Sequence, residues 1–598
     1  MKSISHSLFP FVRNTILLSG ISAGFLSVTP VGALTLISGP SVTGASNAPL
    51  ACVLKLSTDV ASRVSVSVDD GATVWERHFY DYGMAHSIPL LGFKADRTNR
   101  ITLTVQDRHQ NTIAAGPVNF ITARLPSNFP KLVVLESKPE KMEPGYTVCR
   151  LVNGASGTDY LTILNSSGEV VWYDGNSANG ASLDVRQLEN GDLFFPTTTA
   201  FVEINMLGET VRTRAPAASQ PIDNHDGVPT DRGTILYLTD ASRVVTNFPT
   251  SNINPNAPRT NATVKYNRVV EIAGTNGVLI NLWSLLDMLQ PDRIDYLNQL
   301  VGGGWDAEHA NAVIEDPRDD SIIVSLRNQD AVIKFSRSTG ALKWILGPHE
   351  NWAPAFQPYL LTPVGKPFEW NYAQHAPMLT PQGTLLLYDN GNYRASPFNT
   401  SVPDATNYSR AVEFRIDEER MEVSQVWDYG RNNSERIFTG SVGDANWLPQ
   451  RQNVLITFGA ISYINGVHPS AFSPGALMAR IKEVTHDPVS EVVFDLAVFD
   501  YTNTSALYRG NWVYRSVRIP DLYPHPATPV VDLAIRLENA KPLLEFSADP
   551  AHAYFVETSA DLVHWTNVGE ATLEQSGEFE FQEEYADHPA RFYRVVTE

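Results

Sequence analysis

Gln382-Gly383-Thr384-Leu385-Leu386-Leu387, followed further on by Glu422-Val423-Ser424-Gln425-Val426-Trp427, is the stretch that decides the fold. A glycine turn opens an apolar run too short for a helix, and a second run closes on an aromatic residue. Both halves read as β-strands. Asn190-Gly191-Asp192-Leu193-Phe194-Phe195 repeats the first half, and Gly168-Glu169-Val170-Val171-Trp172 and Gly340-Ala341-Leu342-Lys343-Trp344 repeat the second. Many short strands at a spacing of roughly 40 residues or more are the signature of a β-propeller, whose blades are four-stranded sheets. About six units fit between residues 131 and 527, provided that residues 146–172 complete a blade begun by Asn511–Ile519. That join would close the ring and leave no long sheet edge open. A stack of independent sandwiches would account for the strands but not for the repeated approach to Trp.

Outward from the repeat, residues 34–130 are β as well. Strict alternation in Val64-Ser65-Val66-Ser67-Val68 and in Ile101-Thr102-Leu103-Thr104-Val105 predicts strands with one buried face. Their spacing suits a small β-sandwich, which Pro126 and Pro130 bring to an end. Residues 528–598 are again β-rich, beyond a linker holding Pro524, Pro526 and Pro529. One stretch breaks the pattern: residues 281–297 carry Leu285, Leu286 and Met288 near helical spacing until Pro291, which predicts a helix. Segments 241–262 and 351–370 lengthen two units and should form loops over one face. The expected architecture is all-β, with a six-bladed β-propeller at 131–527, an N-terminal β-sandwich at 34–130 and a small C-terminal β-sandwich at 528–598.

Bulk chemistry narrows the function. The chain of 598 residues is too long for one core, and its 43% hydrophobic and 18% charged residues are a globular composition. With 45 Lys and Arg against 65 Asp and Glu, the net charge of −20 argues against nucleic acid, which needs a basic footprint. An anionic substrate must be drawn in by a local cluster of Arg and His. Lys2 and Arg13 precede an apolar stretch at 15–28 and the small residues Val31-Gly32-Ala33, which reads as a signal peptide over residues 1–33. The run is too short, and too broken by Pro30, for a membrane anchor. A periplasmic or secreted protein with no membrane partner is expected. Cys52 and Cys149 could form one disulfide there or stand as two small buried residues; their separation does not decide between these.

Three histidines stand at the heads of strand-like runs, in Asn224-His225-Asp226-Gly227, Glu308-His309-Ala310-Asn311 and Gln374-His375-Ala376-Pro377. Apolar strands follow at 234–238, 321–326 and 384–388. A residue recurring at one place in a unit repeated around an axis brings its copies together, so His225, His309 and His375 are expected to meet. Each could be a nucleophile, a general acid or base, or a metal ligand. A lone histidine is more often a hydrogen-bonded core residue, but three at equivalent places favour function. Arg327 ends the apolar run Ile322-Ile323-Val324-Ser325-Leu326, where burial is costly without an anion or an internal carboxylate as partner. Its fork and the Asn311 amide together suit a tetrahedral oxyanion such as sulfate or phosphate.

The run from 308 to 352, with its Leu326-Arg327 and Gly347-Pro348-His349-Glu350-Asn351-Trp352, resembles the bacterial arylsulfate sulfotransferases. So do Gln374-His375-Ala376-Pro377 leading to Tyr388-Asp389-Asn390-Gly391, and Ala85-His86-Ser87-Ile88-Pro89-Leu90-Leu91-Gly92 in the front domain. The resemblance spans nearly all of 34–527 and leaves the tail outside. It implies a periplasmic propeller that moves a sulfuryl group from an aryl sulfate to a phenol by a ping-pong route through a sulfohistidine, without a nucleotide donor or a cofactor. By motif position it implies His375 as the nucleophile, with His225, His309, Asn311 and Arg327 around the sulfuryl group. Ala312 and Asp306-Ala307 depart from the family pattern, which bears on the choice of acceptor. The chemistry suits the residue types: a neutral imidazole can attack sulfur and later be displaced, and a second histidine can exchange a proton with the phenol oxygen. Arg327 and Asn311 would meet the charge on the sulfuryl oxygens. Trp352, Tyr393 and Tyr463 are loop aromatics able to line an aryl pocket or simply to pack. Small-molecule aryl sulfates and phenols are the expected partners, the chain acting alone or as a homodimer.

Two other readings stay open on the residues alone. The histidines with Asp226, Asn311 and Glu308 could hold Ca²⁺ or Zn²⁺ in a metal-dependent propeller hydrolase of the lactonase or phosphotriesterase type. The third is a secreted propeller that only binds, its histidines structural.

Overall fold

The computed structural model describes residues 34–153, 156–175, 184–217, 220–223, 225–297, 300–301, 304–468, 477–498, 510–523, 531–538, 541–548, 552–560, 562, 564–574, 577–583 and 591–596. The expected signal peptide at 1–33, Asn224, and the linker prolines Pro524, Pro526 and Pro529 lie outside the described residues. What is described is almost all β.

Six sheets follow one another between residues 132 and 519, antiparallel but for one short parallel pairing in each of the third and fifth. The first joins Asn511–Ile519 to Tyr146–Asn153, Thr158–Leu164 and Val170–Tyr173, so the two ends of the repeat share one sheet, from Asn511↔Asn153 to Ile519↔Tyr146. The second runs from Arg186–Gln187 to Thr210–Arg214 and the third starts at Gly227–Pro229. The fourth runs from Ala310–Asp316 to Leu342–Leu346 and the fifth from His375–Leu379 to Glu422–Tyr429. The sixth is built on Asp444–Trp447, Asn453–Ile464, Met478–Thr485 and Val492–Val498. A second stitch, which the repeat does not signal, adds Leu132–Ser137 to Val492–Val498 as the outermost strand of the sixth sheet.

The Trp that closes each repeat has a physical job. It lies on the last strand of its sheet and donates its indole N–H to the sheet that follows: Trp172 to Met206 O at 2.7 Å, Trp344 to Glu418 Oε1 at 3.1 Å, Trp427 to Asp487 O at 3.2 Å. Trp283, on the last meander strand of the third sheet, packs on Phe335 of the fourth instead, ring centroids 5.7 Å apart. The rings of Trp172, Trp344 and Trp427 thus join apolar burial to one satisfied polar bond, and truncating one of these to Ala should cost about 3–5 kcal/mol.

The helix expected at 281–297 shrinks to a single turn, Leu285–Met288, capped by Ser284 Oγ on Asp287 N at 3.3 Å. Leu279–Ser284 is drawn into the third sheet by pairing with residues 268–272, a tertiary ladder overriding the apolar spacing. In the front domain all five strands belong to one sheet. Cys52–Asp69 spans it, pairing with Leu36–Gly44 through its first half and Thr98–Asp107 through its second, and a register break after Ser57 turns it. The alternating residues face one core as expected, Val64, Val66, Val68, Ile101, Leu103 and Val105 meeting Leu54 and Phe93. Two small sheets make up the tail, around Phe546, Tyr554 and Phe579. The tail rests on the front domain through Arg63 Nη1, 2.7 Å from both carboxylate oxygens of Glu570, and through Tyr80 against Phe555. Cys52 and Cys149 are buried and unpaired.

Candidate active site

The three histidine motifs occupy the heads of the first strands of the third, fourth and fifth sheets. His225 stands two residues ahead of Gly227–Pro229, His309 just ahead of Ala310–Asp316, and His375 opens His375–Leu379. These strands are neighbours: Val313 N donates to Asp226 Oδ2 at 2.9 Å, and Asn311 Nδ2 to Gln374 O at 2.8 Å. The His225 and His309 rings lie 5.0 Å apart, edge to face. Arg327 returns to the same end because Ala310 pairs with Leu326, and its N–H donates to His309 O at 3.2 Å.

The backbone here is strained. His309 has φ +46°, Ala373 +51° and Ala376 +50°, left-handed values that cost on the order of 1 kcal/mol each in a residue bearing Cβ. Gln374 is the clamp that holds them. Its amide nitrogen donates to Ala331 O at 2.8 Å and Ser325 Oγ at 3.1 Å, and its oxygen accepts from Asn371 Nδ2 at 2.7 Å.

The imidazoles differ in what faces Nδ1. For His225 it is Asp223 Oδ1 at 2.5 Å, and for His309 Asp306 Oδ2 at 2.6 Å. For His375 it is Asn390 Oδ1 at 2.6 Å, an uncharged partner. Asn390 can face only this way, because its Nδ2 donates to Val442 O at 2.8 Å and Thr439 O at 3.1 Å. The amide oxygen therefore requires a proton on His375 Nδ1, which leaves Nε2 a bare lone pair. Burial, then the charge of Arg327, push the His375 pKa well below its ordinary value, against the bond to Asn390. At His225 burial opposes charging, but the Asp223 carboxylate outweighs it and the pKa rises. At His309 burial prevails over Asp306, with His225 and Arg327 adding to the lowering. One partly buried cluster thus holds a neutral imidazole with a free lone pair and an imidazole inclined to carry charge.

Arg327 is held only by neutral oxygens, Gly440 O at 3.1 Å and Asn328 Oδ1 at 3.2 Å, and makes no ion pair among the described residues. Its buried Nε has no protein partner. Of the two answers open from sequence, an internal carboxylate partner or an anion, the carboxylate is missing here. Asn311 commits Nδ2 to Gln374 O, leaving one N–H and an unpartnered Oδ1. Trp352 is buried in core contacts, its indole on Pro348 O and its face under Arg293. Tyr393 stacks on Tyr296 at 4.9 Å, while Asn392 beside it donates to Gly440 O, the carbonyl that also receives Arg327. Tyr463 lies on a sixth-sheet strand against Phe438 and His468. The carboxylates a metal would need are engaged otherwise: Asp226 with Arg186, Arg515 and Val313 N, Glu308 with Asn267 N. Among the described residues no three His, Cys, Asp or Glu side chains group as metal ligands.

Sequence reasoning quotes Asp306 and Asn390 but gives neither of them, nor Asp223, the role of a histidine partner. Asp223 and Asp306 were within reach, as carboxylates two and three positions before a histidine. Asn390 lies fifteen positions beyond His375 and meets it only through the hairpin that pairs His375 with Tyr388.

A family model described as arylsulfotransferase (ASST) matches residues 133–509, and another, described as the arylsulfotransferase Ig-like domain, matches residues 40–116. The chain belongs to the arylsulfotransferase family. The expectation of a sulfotransferase enzyme follows that membership. The arylsulfate sulfotransferase AssT of Escherichia coli O6:H1 is 23% identical over 566 residues, covering 78% of this chain and 92% of the relative. The AssT of Lelliottia amnigena is 22% identical over 563 residues, with 78% and 91% covered. A solved protein of unknown function from Bacteroides caccae aligns over 62% of this arylsulfotransferase and 99% of its own length at 13% identity, with a TM-score of 0.33, too distant to weigh.

Proposed function

We propose that this protein moves a sulfuryl group from an aryl sulfate to a phenol by a ping-pong route through a sulfohistidine at His375. The observation that carries the reading is the contrast in partners, an amide oxygen at His375 against carboxylates at His225 and His309. In the first half-reaction His375 Nε2 attacks sulfur, the S–O bond to the aryl group breaks, and the phenoxide takes a proton from the His225 imidazolium. In the second, the acceptor phenol gives its proton back to His225, its oxygen bonds to sulfur, and the N–S bond breaks. Arg327, with no carboxylate of its own, neutralises the sulfuryl oxygens, and Asn311 offers its remaining N–H. The neutral His309, whose Nδ1–H is taken by Asp306, turns a lone pair toward a phenol hydroxyl.

The same reading makes the six sheets the blades of a six-bladed propeller, with the front domain at 34–130 and the tail at 528–598 as separate domains. Closure is supported by bonds between the sixth and first sheets, Asn446 Nδ2 to Ser516 O at 2.9 Å and Thr457 Oγ1 with Ser516 Oγ at 2.5 Å. Periplasmic or secreted export belongs to the proposal through residues 1–33. The test is an assay of 4-nitrophenyl sulfate plus a phenol, with and without chelator. Sulfated phenol formed equally in both supports the transferase. Activity lost to chelator and restored by metal would favour the metal-dependent hydrolase, and sulfate released only to water would contradict transfer.

A further inference from the structure

Between the inserted loop at 249–259 and the segment 290–294 lies a cavity of about 210 Å³ that the chemistry above does not use. Its walls are of two kinds. Phe398, Pro255 and Ile294 supply apolar surface, and Arg259 and Arg293 supply guanidinium groups facing a single carboxylate, Asp292. Arg259 pairs with Asp292, so among the lining side chains one positive charge is in excess, in a chain whose net charge is −20. That excess sits on Arg293, which is 3% exposed and makes no ion pair among the described residues. Gln329 O at 2.7 Å, Gln329 Oε1 at 2.9 Å and the Trp352 face hold it, yet its Nε is buried without a partner and its Nη2 reaches only Glu350 O at 3.5 Å. Burial lowers its pKa to about 10, against the opposing pull of the Asp330, Asp295 and Glu350 carboxylates.

The cavity is tied to the candidate site on both sides. Phe398 N donates to Asn252 O at 3.1 Å, and Tyr296, which stacks on Tyr393, donates its hydroxyl to Asn399 O. The ring wall and Tyr393 therefore share one clasped pair of loops. On the inner side, Gln329 is the last residue of the turn Arg327–Gln329 that begins with Arg327. A volume below the roughly 300–1,000 Å³ of drug-sized sites admits a single-ring compound, and an aromatic wall opposite an unpaired guanidinium suits a ring bearing one negative charge.

We propose that this cavity is a second binding site, an antechamber for a singly charged aromatic anion such as an aryl sulfate or sulfonate, with the ring against Phe398 and the anionic group toward Arg293. That its natural occupant is the donor rests on the sulfotransferase reading; its taste for aromatic monoanions rests on its own walls. Equilibrium dialysis with 4-nitrobenzenesulfonate, whose C–S bond cannot be passed to histidine, counts the bound molecules. Two per chain are expected in the native protein and one in Ala257→Trp, which fills the cavity, and in Phe398→Ala, which removes the ring. The burst of nitrophenol from 4-nitrophenyl sulfate at saturating donor should keep its amplitude in both variants, whose melting transitions verify the fold. One molecule per chain in the native protein, or two persisting in both variants, overturns the proposal. A native protein that binds two sulfonates but gives no burst contradicts the sulfotransferase reading and leaves the cavity standing.

Discussion

His375 Nδ1 lies 2.6 Å from Asn390 Oδ1, and the Asn390 amide nitrogen is tied to two carbonyls of the neighbouring sheet. This relationship sets the tautomer of His375 and so decides which ring nitrogen keeps its lone pair. Asn390→Ala should lower the rate of the first half-reaction by about 10–100-fold, the usual cost of losing a group that orients an imidazole. Asn390→Asp should raise the His375 pKa by adding a negative charge, so its activity should recover as pH increases. Single-turnover rates against pH check both; unchanged rates in both variants would contradict this role.

The Asp223 carboxylate raises the His225 pKa above its ordinary value despite burial. A donor with a poor leaving group needs that proton, so its kcat/KM should fall as pH rises through the raised pKa. Asp223→Asn removes the charge that favours the imidazolium, so the alkaline limb should move to lower pH. A nitrophenyl donor, whose phenoxide leaves unaided, should show the smaller shift. An alkaline limb that stays in place would exclude His225 as the acid.

Arg327 separates function from stability, because among the described residues it is a largely buried cation without an ion-pair partner. Arg327→Met should reduce kcat/KM by about 10²–10³, as for loss of an oxyanion donor. Its melting temperature should equal or exceed that of the native protein, since an unpaired buried charge is itself costly. A large drop in melting temperature would mean that the guanidinium is structural.

Glu308 makes a prediction about stability. Burial lifts its pKa from 4.5 to about 8. Between those values the folded protein keeps a proton that the unfolded chain has lost, so stability falls as pH climbs through the window. Glu308→Gln removes that contribution, and its melting temperature should decline less than the native one between pH 5 and pH 8. Parallel declines would contradict the assignment.

Much of this was legible in the chain. The strand-to-Trp repeat is readable because each Trp must both bury a ring and reach the next sheet, a demand that recurs with the unit. The pairing of Asn511–Ile519 with Tyr146–Asn153 follows from the same count. The histidine heads are readable because each opens an apolar strand. The short turn at Leu285–Met288 was overstated, since apolar spacing cannot register that Leu279–Ser284 is claimed by a ladder. The inequality of the histidines depends on which side chain a hairpin sets opposite Nδ1, and local sequence does not encode that.

The most direct measurement is to mix the protein with an aryl sulfate carrying labelled sulfate, omit the acceptor, quench in base and map the label by peptide. One acid-labile adduct is expected on the peptide containing His375, absent from His375→Ala, whose fold should be retained and whose transfer should be lost. Full transfer with no adduct, or label on His225 or His309 instead, would contradict it.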